Sequence, residues 1–236
     1  MDNLCIITAR GGSKRIPKKN IKAFCGKPII SYSIEAALES GLFDEVMVST
    51  DDVEIAEISM KYGAKVPFMR SARNSDDYAT TADVLNEVLE EYSNIGKLFK
   101  NMCCIYPTAP FVTAQKLCIA YDKFINSNAD ALIPIVKFSY PPQRCFIKHN
   151  DVITYKWPEY IKARSQDLEP YYHDAGQFYF YNVNSFIIAR KKNDVKSYMM
   201  KNTYYELDEL EVQDIDNLLD WKLAEIKYKL LNGEIR

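Results

Sequence analysis

The 236-residue sequence has two histidines, His149 and His173, far apart in the chain, so a histidine-centred catalytic triad has little support. No apolar run approaches the ~20 residues that a membrane-spanning helix needs. The opening Met1-Asp2-Asn3-Leu4 carries no basic stretch, so no secretory leader is expected. Six cysteines (Cys5, Cys25, Cys103, Cys104, Cys118 and Cys145) form neither a Cys-x-x-Cys pair nor a secreted disulfide framework. They read as reduced thiols of a cytoplasmic protein, several of them in core strands. An excess of one charge is also missing. Thirty Lys and Arg against 32 Asp and Glu leave a formal net charge of −2, which argues against a general nucleic-acid binder. Internal repeats and low-complexity tracts are absent.

What remains is an ordinary globular composition, 47% hydrophobic and 26% charged. A chain of this length buries roughly 70–75% of its unfolded surface, enough for one large domain or two small ones without staples. Apolar runs alternate with helical patterns, which predicts an α/β fold with a mostly parallel central sheet flanked by helices. Leu4–Ala9 reads as a buried strand. Pro28 stands where a first helical residue belongs, ahead of the face Ile30, Ile34, Ala37 and Leu38, and Gly41 stops that helix. Glu45–Thr50 is the next strand, Asp51 or Asp52 caps a helix carrying Ile55, Ile58 and Tyr62, and Ala64–Met69 reads as a short strand. Thr80 and Asp83 have the spacing of a capping box before Val84, Leu85, Val88, Leu89 and Tyr92.

Further along, Met102–Tyr106 is strand-like and ends in Pro107-Thr-Ala-Pro110, which cannot continue it. Thr113 opens a helix with Leu117, Ala120, Tyr121 and Phe124, and Asp130–Val136 is again a strand. Between Lys137 and Gly176 the pattern changes to Tyr- and Pro-rich sequence without helical period. Its aromatic content is too high for a solvated linker, so it reads as an inserted arm or lid. Residues 1–136 and 177–236 then make the α/β domain and residues 137–176 the arm. Phe178–Tyr181 and Ser185–Ala189 return to strand character, and a last helix spans roughly Asp214 to Leu231 with Ile215, Leu218, Leu219, Leu223 and Ile226 on one side.

The segment richest in chemical signal is Ala9-Arg-Gly-Gly-Ser-Lys-Arg-Ile-Pro-Lys-Lys-Asn20. It follows the first strand directly, at the carboxyl edge of the sheet where α/β proteins bind ligands. Between Asn3 and Ile34 there is no acidic residue, while Arg10, Lys14, Arg15, Lys18, Lys19, Lys22 and Lys27 all fall there. Gly11 and Gly12 let backbone N–H groups approach an anion closely, and the cations neutralise it. Neither the P-loop pattern nor the dinucleotide glycine fingerprint is present. The bland alternative is a solvated basic loop. Asp214-Ile-Asp216 offers two carboxylates on one side of an extended segment, suited to Mg²⁺ with phosphate oxygens, or equally to capping the last helix. Asp51 and Asp52 suit N-capping better than metal binding. Tyr171, Tyr172, Phe178 and Tyr179 read as packing residues.

These residues match a family. Ala9–Asn20 followed by Gly26-Lys-Pro28 resembles the nucleotide-binding signature of the acylneuraminate cytidylyltransferases, the CMP-sialic acid synthetases. The resemblance continues through Val48-Ser-Thr-Asp51, Tyr78-Ala-Thr-Thr81, Pro107-Thr-Ala-Pro110 and Asp214-Ile-Asp216, nearly the whole chain. Arg164-Ser-Gln-Asp-Leu-Glu169 and His173-Asp-Ala-Gly-Gln-Phe-Tyr179 look most like the pseudaminic acid branch. Sialic acid enzymes commonly have Gln-Pro-Thr-Ser-Pro and Asn-Gly where this chain has Tyr106-Pro-Thr-Ala-Pro110 and Ala175-Gly176. Both departures argue against N-acetylneuraminate as acceptor.

The resemblance implies a Rossmann-like nucleotidyltransferase fold and a Mg²⁺-dependent transfer of CMP from CTP to a nine-carbon α-keto sugar acid, with release of pyrophosphate. By matching positions, Arg10, Gly11, Gly12, Ser13, Lys14 and Lys19 would hold the CTP phosphates. Asn20, Arg70 and Thr81 would lie around the cytidine and the nascent phosphodiester, and Asp214 and Asp216 would bind Mg²⁺. Arg10, Lys19, Asp214 and Asp216 would be catalytic, and Tyr106, Arg164 and Gln177 would meet the sugar, Arg164 at its carboxylate. The resemblance also implies a homodimer whose arm reaches over the partner's active site, and a product destined for bacterial surface or flagellar glycans. Other acceptors remain open, legionaminic acid, N-acetylneuraminate or an eight-carbon ulosonate among them. So do two other classes, a glycosyltransferase that consumes a nucleotide sugar and a non-catalytic nucleotide sensor.

Overall fold

A computed structural model describes residues 1–192 and 201–235; residues 193–200 and Arg236, within the span expected for the nucleotide-binding domain, lie outside it. In chain order the elements are β1 (Asn3–Thr8), a small hairpin of β2 (Ala23–Phe24) and β3 (Lys27–Pro28), α1 (Ile29–Glu39), β4 (Glu45–Ser49) and α2 (Val53–Lys61). There follow α3 (Thr81–Asn94), β5 (Asn101–Ile105), α4 (Ala114–Ser127), β6 (Ala131–Lys137), a hairpin of β7 (Phe146–His149) and β8 (Val152–Tyr155), and β9 (Tyr172–Asp174). The chain continues through β10 (Phe178–Asn182), α5 (Val183–Lys192), β11 (Asn202–Leu207) and α6 (Leu218–Leu231).

The main sheet runs β11-β6-β10-β5-β1-β4. β4, β1 and β5 are mutually parallel and β11 is parallel to β6, whereas β10 enters antiparallel between β5 and β6. β9 also pairs antiparallel with β6, just before β10, so the strand order is mostly parallel with an antiparallel insert. The chain leaves β1 to pair it with β4 on one side and later with β5 on the other. That reversal opens a crevice beyond the carboxyl ends of β1 and β5, where an α/β sheet binds ligands.

Strand periodicity explains the two faces. In β1, Cys5 and Ile7 join Ile30 and Ile34 of α1 and Leu117, Ala120 and Phe124 of α4. Leu4 and Ile6 point the other way, to Leu85, Val88, Leu89 and Tyr92 of α3 and Phe186 of α5. Each fully buried Leu or Ile removes apolar surface worth about 1.5–3 kcal/mol. A third cluster stands at the sheet's carboxyl edge: Ile16, Phe24, Ile29, Tyr32, Phe111, Ile215, Trp221 and Ala224. It is aromatic and tightly made, with Phe24 edge-on to Tyr32 and Trp221 at 5.6 Å each. The hairpin that delivers Phe24 turns on Cys25 (φ 43°) and Gly26 (φ 99°), the two positive φ values that a two-residue hairpin with right-handed twist demands.

Several elements differ from the sequence reading. Pro28 caps α1 from one residue outside it, closing β3. Ala64–Met69 forms no strand but a single bridge, Met47 to Lys65. Ser185–Ala189 lies in α5, not in a strand; a short apolar run does not distinguish the two, and Asn182 Oδ1 accepting from Ser185 N at 3.0 Å starts a helix there. The last helix begins at Leu218, behind an N-cap at Asn217. Its buried face is Trp221 and Ala224, whereas Leu218, Leu219, Leu223 and Ile226 are exposed.

Of the segment 137–176, β9 belongs to the main sheet. The β7–β8 hairpin forms a separate two-stranded sheet with every residue exposed.

Candidate active site

The basic loop leaves β1 at Thr8 and is pinned at three points. At its start, Gly11 N donates to Asp51 Oδ1 at 2.9 Å. A Cβ at position 11 would lie 2.7 Å from Asp52 Oδ2 and 2.9 Å from Asp52 Cβ, so this close approach needs glycine. Asp52 cannot easily retreat, because it N-caps α2 by accepting from Ile55 N at 3.1 Å. In the middle, Ile16 is sunk into the aromatic cluster. At the end, buried Asn20 donates from Nδ2 to Arg10 O at 2.8 Å and ties the loop closed. The cations Arg10, Lys14, Arg15 and Lys19 are left lining one side of a cleft of about 510 Å³ together with Gly12, Ser13 and Asn20.

Asp214 and Asp216 line the same cleft, with Tyr106, Pro107 and Thr108 from the turn after β5. Ile215 between them is 1% exposed, in the aromatic cluster with Ile16. The alternation of an extended segment therefore points both carboxylates out over the cleft while Ile215 anchors them. Neither Asp caps α6, since Asn217 takes that position and accepts from Leu219 N and Asp220 N. Asp220 Oδ2 in turn accepts from Asp216 N at 2.9 Å.

Two contacts join the basic and acidic walls. Lys19 Nζ donates to Ile215 O at 2.7 Å, and Arg15 Nη2 meets Asp216 Oδ1 at 2.7 Å. Burial lowers the Lys19 ammonium's pKa, against the opposing pull of the Asp216 and Asp214 carboxylates. On the other side, Asp77 takes Arg10 Nη1 at 3.1 Å and Lys14 Nζ at 2.5 Å. Asp77 lines the cleft although the sequence reading did not name it, whereas Arg15 was already among the loop's cations. Asp77 lies in a patternless loop before the Thr80 cap, where no periodicity marks a role.

Two smaller clefts adjoin. One of about 260 Å³ shares Thr8, Arg10 and Asp77 with the first and holds Arg70 and Thr81. Arg70 is 8% exposed, donates from Nε to Ser49 Oγ at 3.0 Å, and has its pKa lowered chiefly by burial. The other, of about 490 Å³, shares Tyr106 and Asp214 with the first and is lined by Lys137, Phe138, Ser139, His173, Asp174 and Lys227 among others. Here His173 packs on Phe138 with ring centroids 4.7 Å apart. Asp174 Oδ1 accepts from Gly176 N at 2.8 Å and from Tyr179 OH at 2.7 Å.

Two expected sugar contacts lie elsewhere. Gln177 is buried, its Nε2 donating to Glu211 O, and Arg164 is exposed in the segment 137–176, paired with Asp167 at 2.7 Å.

Among the described residues no group of three or more His, Cys, Asp or Glu is placed to hold a metal ion. The two-carboxylate, all-oxygen set at Asp214 and Asp216 nevertheless fits Mg²⁺, which takes one or two protein carboxylates and completes its shell with water and phosphate oxygens.

A cation-lined cleft facing paired carboxylates thus stands at the carboxyl edge of a mostly parallel sheet, the place where α/β proteins bind ligands. A family model described as Cytidylyltransferase matches residues 4–228, and the chain belongs to that family. It is 44% identical over 233 residues, 98% of this chain and 97% of the relative, to the pseudaminic acid cytidylyltransferase of Campylobacter jejuni. It is 34% identical, over 98% of this chain and 97% of the relative, to the CMP-N,N'-diacetyllegionaminic acid synthase of Legionella pneumophila. In fold it resembles a CMP:2-keto-3-deoxy-manno-octonic acid synthetase solved with CTP, with a TM-score of 0.71, 16% identity and full coverage of both chains.

Proposed function

We propose that this cytidylyltransferase transfers CMP from CTP to the anomeric hydroxyl of pseudaminic acid, giving CMP-pseudaminic acid and pyrophosphate. The observation that carries the reading is the continuity of three clefts: Arg10 links the Arg70–Thr81 cleft to the cationic one, and Tyr106 and Asp214 link the cationic cleft to the one beside His173. The named Campylobacter jejuni relative supports pseudaminic acid as the acceptor.

In this reading the triphosphate lies along Arg10, Lys14, Arg15 and Lys19, with the Gly12 and Ser13 backbone beside it. Arg70 and Thr81 surround the cytidine, Asn20 lies by the nascent phosphodiester, and the sugar enters the cleft of Tyr106, His173 and Lys227. The sugar oxygen attacks the α-phosphorus, the bond to the β-phosphate oxygen breaks, and the hydroxyl proton leaves to solvent. Negative charge grows on the α-phosphate and the departing pyrophosphate, and the fixed cations stabilise it. Asp214 and Asp216 would hold Mg²⁺, which would neutralise phosphate charge and lower the pKa of the attacking hydroxyl.

Arg164 is 72% exposed and lines none of the three clefts, which suits a residue that serves a second copy of the chain. Its planar fork can take both oxygens of the sugar carboxylate. The working unit is then a homodimer exchanging arms, with Gln177 supporting the sugar cleft from beneath. Among the described residues no helix is long and apolar enough to cross a membrane.

Pyrophosphate release from CTP and Mg²⁺, with pseudaminic, legionaminic and N-acetylneuraminic acids in parallel, tests the assignment. Release with pseudaminic acid supports it. Release with only another acid overturns the acceptor, and release with none favours a glycosyltransferase or a sensor.

A further inference from the structure

Asp77 stands apart from the other acidic residues of the site. It lines both the cationic cleft and the Arg70–Thr81 cleft, and it engages two of the four cations that line the former. Its loop is shaped for this. Asp76 Oδ1 accepts from Tyr78 N and Ala79 N, each at 2.8 Å, and Asp76 O accepts from Arg10 Nη1 at 2.8 Å. The capping box of Thr80 and Asp83 fixes the far end of the loop on α3. The Asp77 carboxylate is thereby presented to Arg10 and Lys14 by two anchored backbones, its own and that of the basic loop.

A carboxylate and a phosphate ask for the same donors. Arg10 Nη1 and Lys14 Nζ cannot turn fully onto an anion in the cleft without giving up hydrogen bonds to Asp77. We propose that Asp77 is a positioning residue that competes with the nucleotide's phosphates for Arg10 and Lys14, weakening their hold and easing the departure of pyrophosphate.

The inference rests on the reading of this cleft as the CTP phosphate site. Asp77 exerts two opposed effects. It orders two long side chains over the cleft, which favours anion binding, and it repels the incoming anion, which disfavours it. Ordering counts once per side chain, whereas repulsion grows with the charge on the ligand. Pyrophosphate and the triphosphate of CTP each carry several negative charges, so repulsion prevails.

The test uses the full chain and titrates inorganic pyrophosphate and CTP, with and without Mg²⁺, by calorimetry, alongside kcat, KM and product inhibition. Asp77→Asn is expected to bind pyrophosphate about two- to fivefold tighter, the scale of an exposed ion pair. Its KM for CTP falls, kcat does not rise, and pyrophosphate inhibits it more strongly. Asp77→Glu restores the wild-type values. Unchanged or weaker pyrophosphate binding in Asp77→Asn overturns the proposal and leaves Asp77 a loop anchor. Arg10→Ala separates this outcome from failure of the phosphate-site reading: if that variant binds pyrophosphate as the wild type does, or if the wild type binds neither ligand, the phosphate site itself is misplaced.

Discussion

The ammonium of Lys19 donates to the carbonyl oxygen of Ile215 at 2.7 Å, across 196 residues of sequence. One side chain thus belongs to the basic loop and also braces the segment that carries Asp214 and Asp216. Lys19→Ala is expected to lower the rate of pyrophosphate release by about 10²–10³-fold, the loss seen when one fixed donor to a developing oxyanion is removed. Because Ile215 and Ile16 remain in the aromatic cluster, the far-ultraviolet circular dichroism should not change. A variant with wild-type turnover would remove Lys19 from the reaction.

Asp216 faces Arg15 at 2.7 Å and leaves the capping of α6 to Asn217. Asp216→Ala therefore costs little fold stability and is expected to lose nearly all turnover. Chelation of divalent cations with EDTA should abolish wild-type pyrophosphate release, and added Mg²⁺ should restore it. Turnover that survives both treatments would refute a metal role for the pair.

Gly11 and Gly12 are adjacent in sequence but not equivalent in space. A Cβ at Gly11 collides with Asp52, whereas one at Gly12 meets nothing within 4 Å. Gly11→Ala must displace the N-cap of α2 and is expected to cost about 1–3 kcal/mol, which a urea midpoint will report. Gly12→Ala should fold like the wild type, with any defect confined to phosphate binding. Equal midpoints for the two variants would contradict the packing at Gly11.

This contrast also marks what the sequence made legible. The run from Ala9 to Asn20 stood out as a cleft-lining loop because glycines and cations coincide with a strand end, and the capping box at Thr80 and Asp83 was visible from side-chain chemistry alone. The alternating β and α pattern likewise gave the layered sheet. What failed were inferences in which the burial partner lies far along the chain. Ser185–Ala189 reads as a strand by its apolar run, yet it packs as helix α5 beside α3. The Leu-rich stripe of α6 reads as its buried face, but Phe24, Phe111 and Ile16 select Trp221 and Ala224 instead. Asp77 offered no local signal, since its significance lies in Arg10 and Lys14, more than sixty residues earlier.

Glu45, at the start of β4, has a side chain only 1% exposed and joins three partners. Tyr92 OH donates to it at 2.6 Å, Lys97 Nζ at 2.7 Å and Lys65 Nζ at 3.3 Å. Burial alone would raise its pKa, but the hydrogen bonds from Lys97, Tyr92 and Lys65 outweigh it and hold the carboxyl below the usual range. Glu45→Ala strands the buried Tyr92 hydroxyl and is expected to cost about 3–5 kcal/mol. Glu45→Gln keeps an acceptor for it and should cost about 1–2 kcal/mol. Urea unfolding of both variants checks the ranking, and equal costs would show that charge alone matters there.

Asp83 ties the start of α3 to α5. Thr80 Oγ1 donates to its Oδ2 at 2.6 Å, Thr80 N at 2.9 Å, and Arg190 Nη2 lies 2.6 Å from its Oδ1. The Thr80 hydroxyl first, with the Thr80 amide and Arg190 adding to it against the cost of burial, lowers the pKa to about 2. An unfolded Asp titrates near ~3.9, so the folded value is the lower one. The stabilisation is therefore fully present above about pH 4 and is lost as the pH falls through about 2. Asp83→Asn retains an acceptor for the Thr80 amide but loses the charge. At pH 7 its Tm should fall by about 2–4 °C, the effect of roughly 1 kcal/mol in a chain of this length, after screening of a partly exposed pair. Between pH 4 and 2 the gap between wild type and variant should close, because the wild-type carboxyl becomes neutral as well. A gap that stays constant down to pH 2 would mean that the shape of the cap, not the ionised carboxylate, holds α3 to α5.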